Sequence, residues 1–166
     1  TAAQNSITTA TGLVTVGASG TASSIAGIPF FSADNSIYTH DVSGTDSTAE
    51  QNAAYGIGAM DAITTGDFNT AVGWYALGAT TTGENNVAIG GGAGKSNTTG
   101  ARNIAIGMDA YDASDTENDN IAIGHNAMTT NTAGGTKNVA LGNYALDALT
   151  SGDSNIGIGY AANGAI

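Results

Sequence analysis

NTAVGWYALGATTTGEN, residues 69–85, is the clearest copy of a unit that recurs through most of the chain. Seven such blocks begin with asparagine, at spacings of 17, 17, 17, 17, 18 and 17 residues. The block asparagines are Asn52, Asn69, Asn86, Asn103, Asn120, Asn138 and Asn155. Chance does not keep seven blocks in register, and a fixed period of this kind is the signature of a repeat architecture.

The blocks share more than their first residue. A glycine lies four residues after each asparagine, an alanine lies three residues after that glycine, and most blocks close on a Thr-Gly or Ser-Gly turn. In the four central blocks these positions are Asn69, Gly73, Ala76, Asn86, Gly90, Ala93, Asn103, Gly107, Ala110, Asn120, Gly124 and Ala127. We expect the asparagines to form a hydrogen-bonded ladder between neighbouring coils. The glycines should take a positive φ or allow close packing.

The closing turn departs from the pattern twice. The fourth block has Glu117 where other blocks have the turn glycine, and the fifth block carries one extra residue in its turn. Turns are where insertions cost least, so neither change disturbs the register of the blocks.

The pentapeptide that opens each block is short, rich in β-branched residues and closed by glycine, which indicates a strand. No block carries a helical period. The sequence therefore predicts an all-β repeat protein, a parallel β-solenoid or β-roll with 17-residue coils. Each coil would hold two strands and two turns, with coils stacked about 4.8 Å apart in a rod about 33 Å long.

Three regions follow from where the repeat begins. Residues 52–166 form the seven β-roll repeats, and residues 35–51 fit the period without the inner glycine and alanine, as a degenerate capping coil does. Residues 1–34 form β segments, with candidate strands at 12–17 and 27–31, or a linker to a preceding shaft. The chain begins with Thr1 rather than Met, which indicates a processed or partial chain.

Alternation within the strands distinguishes two faces. One face carries pairs of large apolar residues, such as Val87 with Ile89 and Ile104 with Ile106, and the other carries Asn, Ala and Gly. Neither face is charged. We expect both to be buried, one in the coil's own core and one against partner chains, and therefore predict an obligate oligomer.

Composition excludes several classes of function. Three basic and fourteen acidic residues give a net charge of −11, which argues against binding to nucleic acid or to anionic lipid. No apolar run approaches the roughly 18 residues that would insert into a membrane. The absence of cysteine excludes disulfides and thiolate metal sites.

Residues 89–100, IGGGAGKSNTTG, end like a phosphate-binding loop. The glycine spacing is one residue too short, however, and no apolar helix follows whose N-terminus would hold a phosphate. In register, Gly90 is the block glycine and Ala93 the block alanine. Gly91, Gly92 and Gly94 are peculiar to this block, and we expect them to allow close approach of a partner chain. No cofactor is predicted.

Two sets of side chains are candidate sites. Oxygen ligands suited to Ca²⁺ are concentrated in one turn, although without the spacing of a known calcium loop. These residues are Asp112, Asp115, Glu117 and Asp119. Aromatic rings near the block glycines could stack on sugars or could pack at the coil corners. They are Trp74, Tyr75, His125, Tyr144 and Tyr160. His40 and His125 have no recurring Asp or Ser companions, so neither indicates catalysis.

The unit N-x-A-[VI]-G-x-x-A-L-x-x-x-T-T-G resembles repeats in tail fibres and related attachment fibres of tailed bacteriophages. Its N-V-A-I-G core is similar to head repeats of trimeric autotransporter adhesins. The match covers residues 52–166, and the 17-residue period and the T-T-G turn favour the phage type. The resemblance implies an intertwined homotrimer on a virion, joined to preceding and following fibre segments.

The first functional hypothesis is a stiff trimeric spacer, which either holds a receptor-binding tip away from the particle or itself contacts host-surface glycans. A bacterial adhesin head on the cell surface is the alternative. A glycan-degrading β-solenoid enzyme is a remote third reading, because it needs a pair of carboxylates about 5–10 Å apart and the acidic residues scatter over turns. We therefore predict that the chain is not an enzyme.

Overall fold

The computed structural model describes residues 48–130 and 134–163, together with the backbone of three earlier strands. In chain order the strands are β1 (Ser23–Ile25), β2 (Ile28–Ala33), β3 (Ser36–Tyr38), β4 (Ala53–Tyr55), β5 (Thr70–Val72), β6 (Val87–Ile89), β7 (Ile104–Ile106), β8 (Ile121–Ile123), β9 (Val139–Leu141) and β10 (Ile156–Ile158). No helix occurs among the residues described.

The strands form one sheet in sequence order, which confirms the predicted all-β solenoid. β4 to β10 are parallel and pair at equivalent block positions, so that Ala88 faces Ala105 and Ala105 faces Ala122. β3 lies in the segment predicted as a capping coil and also pairs in parallel with β4. β2 contains most of the strand predicted at residues 27–31, and it pairs antiparallel with both β1 and β3. The strand predicted at residues 12–17 lies outside the described residues.

The prediction of two strands per coil is wrong for the described coils, because each holds a single three-residue strand. The rest of each coil passes repeatedly through positive φ, as in the second coil at Tyr75 (51°), Leu77 (50°) and Asn85 (59°). A positive φ turns the chain, so no second extended segment can form. Backbone hydrogen bonds still join the coils there: the Leu77 amide donates to the Ala93 carbonyl at 3.0 Å.

The core is built from the small face of the strands. Ala71, Ala88 and Ala122 are fully buried, and Ala105 is 2% exposed. A second buried row continues the core along the rod with the residues Met60, Leu77, Tyr111, Met128 and Leu146. A 17-residue coil with one short strand encloses little space, so only alanine fits behind the strand. The large apolar pairs point away from this core.

The predicted asparagine ladder is present. The backbone amide of Asn103 donates to Oδ1 of Asn86 at 2.9 Å, and that of Asn120 donates to Oδ1 of Asn103 at 2.9 Å. Nδ2 of Asn69 donates across its coil to the turn carbonyl of Gly83 at 2.8 Å. Each buried amide therefore links two coils and closes one. Most links between coils use a backbone amide rather than two side chains.

The strand glycines have the predicted positive φ and close packing. Gly90 has a φ of 133°, and a Cβ on it would lie 2.5 Å from the carbonyl oxygen of Gly107 in the next coil. This contact recurs at Gly73, where a Cβ would lie 2.5 Å from the carbonyl oxygen of Gly90. A side chain at this position would push neighbouring coils apart.

Candidate functional site

The outward-facing side of the parallel strands is an apolar surface. We call it the outer face, formed by the second and fourth residues of the seven blocks: Ala53, Tyr55, Thr70, Val72, Val87, Ile89, Ile104, Ile106, Ile121, Ile123, Val139, Leu141, Ile156 and Ile158. Ile89 and Leu141, in the third and sixth coils, are each 42% exposed, whereas the isoleucines of the fourth and fifth coils are partly buried. None of these residues is charged. The outer face has no cover within the described part of the chain.

A row of side chains at the adjacent coil corner widens this surface. The row consists of the residue after each strand glycine: Ile57, Trp74, Gly91, Met108, His125, Asn143 and Tyr160. Ile57 is 77% exposed, Trp74 58% and Met108 54%. Large apolar side chains that are this exposed are typical of contact surfaces when they are contiguous.

The five aromatic candidates fall into two separate clusters. The Trp74 and Tyr75 rings meet edge to face with their centroids 4.8 Å apart. His125 and Tyr144 are 5.2 Å apart, and Tyr144 and Tyr160 are 5.8 Å apart, which makes a short ladder across the last three coils. Both clusters have exposed rings, so each could stack on a flat ligand or on a partner side chain.

The four acidic candidates do not converge on one point. Asp119 forms an ion pair with Arg102 at 2.6 Å. Glu117 is 5% exposed and accepts hydrogen bonds from the backbone amides of Asp115 and Thr116 through Oε2. Asp115 accepts from the Thr98 hydroxyl. Across the part of the chain that the structure describes, no three carboxylates or imidazoles are placed to hold a metal ion.

The electrostatics of this turn follow from the same contacts. The hydrogen bond from Arg102 lowers the pKa of Asp119, and the same hydrogen bond raises the pKa of Arg102. Burial raises the pKa of Asp112, against the opposing effect of the Lys95 ammonium. At the far end of the rod, the backbone amide and hydroxyl of Thr136 lower the pKa of Asp153.

The glycine-rich stretch of the third coil packs closely against neighbouring coils at two of its positions, and the expected close approach of a partner chain stays a prediction. A Cβ on Gly92 would overlap the Asp109 carboxylate, and one on Gly94 would lie 2.9 Å from Leu77. A side chain at either position would need the Asp109 or the Leu77 side chain to shift. Gly91 is different, because nothing lies within 4 Å of the position its Cβ would take.

Sequence reasoning missed an open groove on the turn side of the second to fourth coils. It has a volume of about 550 Å³, and its lining includes Tyr75, Lys95, Ser96, Thr98 and Asp115. Only Tyr75 and Asp115 were candidates. The groove joins residues of three different blocks, so a motif search along the chain cannot find it. Alignment of the blocks places Ser96 at the same position as Ala79 and Ala113, and Thr98 at the same position as Asp115. This alignment is the sequence signal that could have indicated that these residues lie together.

Two broader findings complete the description. Among the residues described there is no helix with the length and apolar character needed to cross a bilayer. Comparison of the chain with protein-family models, curated proteins and solved structures returned no match.

Proposed function

We propose that the chain is a segment of a virion tail or attachment fibre, in which three parallel copies pack through the outer face to form a stiff spacer. The observation that carries this proposal is a row of uncharged Val, Ile and Leu side chains, exposed or only partly buried, along a parallel sheet. Parallel sheets in proteins are covered on both faces. Here the alanine side is covered by the coil, and the outer face has no cover among the residues that the structure describes.

The size of the outer face supports the proposal that it contacts a partner chain. Six coil spacings of about 4.8 Å give a length of about 30 Å, and the strand plus its corner row is about 13 Å wide. Contiguous apolar surfaces of a few hundred Å² or more mark interaction sites on soluble proteins. The surface also runs the full length of the rod, as a shared axis requires.

The regular spacing favours a second copy of this chain as that partner. Side chains on the outer face repeat once per coil, so another rod with the same period can match every coil, whereas an unrelated surface matches few. The charges support the same choice, since the chain carries −11 and places acidic residues in the turns, as at Asp67 and Asp153. The negative charge therefore opposes contact between copies through the turns and not through the outer face.

The number three and the virion come from the resemblance of the repeat to bacteriophage fibres. In such a trimer the chain joins preceding and following fibre segments and holds a tip away from the particle. Contacts with host-surface glycans would be weak in each chain and strengthened because three copies act together. The clustered aromatic rings supply the stacking surfaces for such contacts.

Sedimentation equilibrium of the purified chain tests the assembly. We expect one species with three times the 16.2 kDa chain mass. A folded monomer at all accessible concentrations would overturn the proposal. The neighbouring genes test the virion assignment separately: particle-assembly genes support it, and a downstream membrane-anchor barrel in the same gene product would make the chain an adhesin head.

A further inference from the structure

The turn-side groove lies away from the outer face and is open to solvent. Its volume of about 550 Å³ falls within the range of about 300–1,000 Å³ that is typical of small-ligand pockets. Its lining includes the small residues Gly78 and Ala79 of the second coil and Ala113 of the fourth. A ligand in the groove can contact the second, third and fourth coils at once.

Tyr75 forms a fixed aromatic wall of this groove. A Cβ on Gly58 would lie 2.9 Å from the Tyr75 ring, so the ring packs directly over that glycine. Trp74 holds it from the side through an edge-to-face contact. The ring is still 37% exposed. An aromatic ring that is held in place and partly exposed is a stacking surface for the C–H face of a sugar.

The polar groups of the groove include both donors and acceptors. The Lys95 ammonium is exposed and has no hydrogen bond or ion pair with another described residue. The Ser96 hydroxyl can donate or accept. The Asp115 carboxylate already accepts from Thr98 and, with two oxygens, has further acceptor capacity. Neighbouring sugar hydroxyls need such a mixture, since each hydroxyl both donates and accepts.

The charges around the groove favour a neutral ligand over an anionic one. Lys95 is the one cationic residue among those that line the groove, and the Asp115 carboxylate in the groove wall opposes its charge. Asp112 is close enough to interact electrostatically with both Lys95 and Asp109, which adds negative charge nearby. An incoming carboxylate or phosphate would meet a net negative surface. A neutral ligand pays no such penalty.

The groove walls are held rigidly by hydrogen bonds between coils. The Ala79 amide donates to the Lys95 carbonyl at 3.0 Å, and the Thr98 amide donates to the Asp115 carbonyl at 2.8 Å. The backbone of the site is therefore already formed, so that binding has to order only exposed side chains such as Lys95.

We propose that this groove binds a neutral saccharide, which stacks on Tyr75 while its hydroxyls bond to Lys95, Ser96 and Asp115. The site gives the glycan contact a defined place in the chain, and in that respect it rests on the proposed function. Three grooves per trimer would convert millimolar single-site binding into tighter attachment.

Saturation-transfer NMR on the purified full chain tests the site. The probes are the methyl glycosides of glucose, galactose and mannose, with methyl glucuronide as the acidic probe, each at about 10 mM to detect weak binding. We expect transfer to at least one neutral glycoside and little to the glucuronide. Tyr75→Ala should abolish the transfer, and Lys95→Met should weaken binding by about tenfold, the loss expected for one hydrogen bond to a charged group.

Matched variants separate the groove from other surfaces. Lys137→Met removes the same charge in another turn and should leave binding unchanged. Tyr160→Ala tests the other aromatic cluster. Binding that survives Tyr75→Ala and Lys95→Met, binding lost only in Tyr160→Ala, preference for the glucuronide, or no transfer to any probe would each overturn the site. Sedimentation of the same variants keeps this result separate from assembly, since a trimer that fails to bind sugar leaves the fibre proposal intact.

Discussion

The two faces of each strand differ sharply although their residues are neighbours in sequence. Ala105 is 2% exposed in the coil, and Ile106 beside it faces outward. The inner position is alanine in six of the seven coils, whereas the equivalent outer position varies among Tyr, Val, Ile and Leu. The inner face is therefore limited by volume and the outer face only by hydrophobicity. The difference indicates that the alanine face packs tightly within the coil, whereas the outer face is suited to contact with another surface.

Ala105→Asp should have the largest effect, because it places an unpaired carboxylate in a space sized for a methyl group. Burial of an isolated charge costs at least several kcal/mol, enough to unfold a domain of ordinary stability. We expect loss of the cooperative thermal transition followed by circular dichroism. Ile106→Asp is the matched comparison: its carboxylate can reach solvent in a single chain, so it should weaken assembly while the coil itself stays folded. Equal melting of Ala105→Asp and wild type would show that the alanine row is not buried.

Gly90→Ala should come next. The new Cβ would lie 2.5 Å from the carbonyl oxygen of Gly107 at a φ of 133°. Strain and overpacking together should cost about 2–4 kcal/mol of the free energy of unfolding, measured by urea denaturation. Gly91→Ala is the control, because its Cβ enters open space. It should change the free energy of the single coil by less than about 0.5 kcal/mol. A similar loss in both variants would place the coils further apart than described.

Asn103→Ala should break one rung of the ladder on the inner side. It removes the acceptor of the Asn120 amide and the donor to the Glu117 carbonyl, both buried contacts. Each unpaired group costs about 1–3 kcal/mol, so we expect a loss of about 2–4 kcal/mol in urea denaturation. Asn143→Ala is the control. The backbone amide that loses its hydrogen-bond partner there belongs to His125 at the exposed corner, and water replaces the bond. An equal loss in the two variants would argue against a buried ladder.

The Asp119–Arg102 pair should have the smallest effect, because both side chains are well exposed, Arg102 at 54% and Asp119 at 36%. The pKa of Asp119 is lowered in the folded chain. Its stabilising contribution is therefore complete above the ordinary aspartate pKa of about 3.9 and is lost as pH falls through the lower folded value. Arg102→Gln should reduce the acid sensitivity of the urea midpoint slightly. The part due to Asp153, whose pKa is lowered by Thr136, should persist. An unchanged acid profile would mean that the ion pair contributes nothing.

Much of the fold could be predicted from the block positions that recur. The asparagine ladder, the strand glycines and the parallel register each follow from one residue type at one position in every block. The single strand per coil could not be predicted, because positive φ falls on Tyr75 and Leu77, residue types that rarely adopt it. The burial of alanine rather than isoleucine was also undetermined, since alternation identifies two faces without saying which one a coil encloses.

The two irregular turns show why pairs of deviations are difficult to interpret from one sequence. Glu117 replaces a turn glycine and the next block has an extra residue, and nothing in the sequence links the two changes. In the structure Oε1 of Glu117 accepts from the backbone amide of Gly134, at 3.0 Å, in the turn that carries the extra residue. The insertion and the glutamate thus fit one another. The contact joins residues 17 positions apart. The groove residues are separated by one or two repeats in the same way, so a search for local motifs finds neither feature.

Thiol labelling at the outer face tests its coverage by other copies of the chain. The chain has no cysteine, so Ile106→Cys introduces a single thiol on this face, and Thr99→Cys introduces one in an exposed turn as a control. We expect the Cys at position 106 to react slowly with a maleimide at concentrations where the chain sediments as a trimer, and rapidly after dilution to monomer. The control should react rapidly throughout. Rapid labelling at position 106 within an intact trimer would show that the copies meet elsewhere.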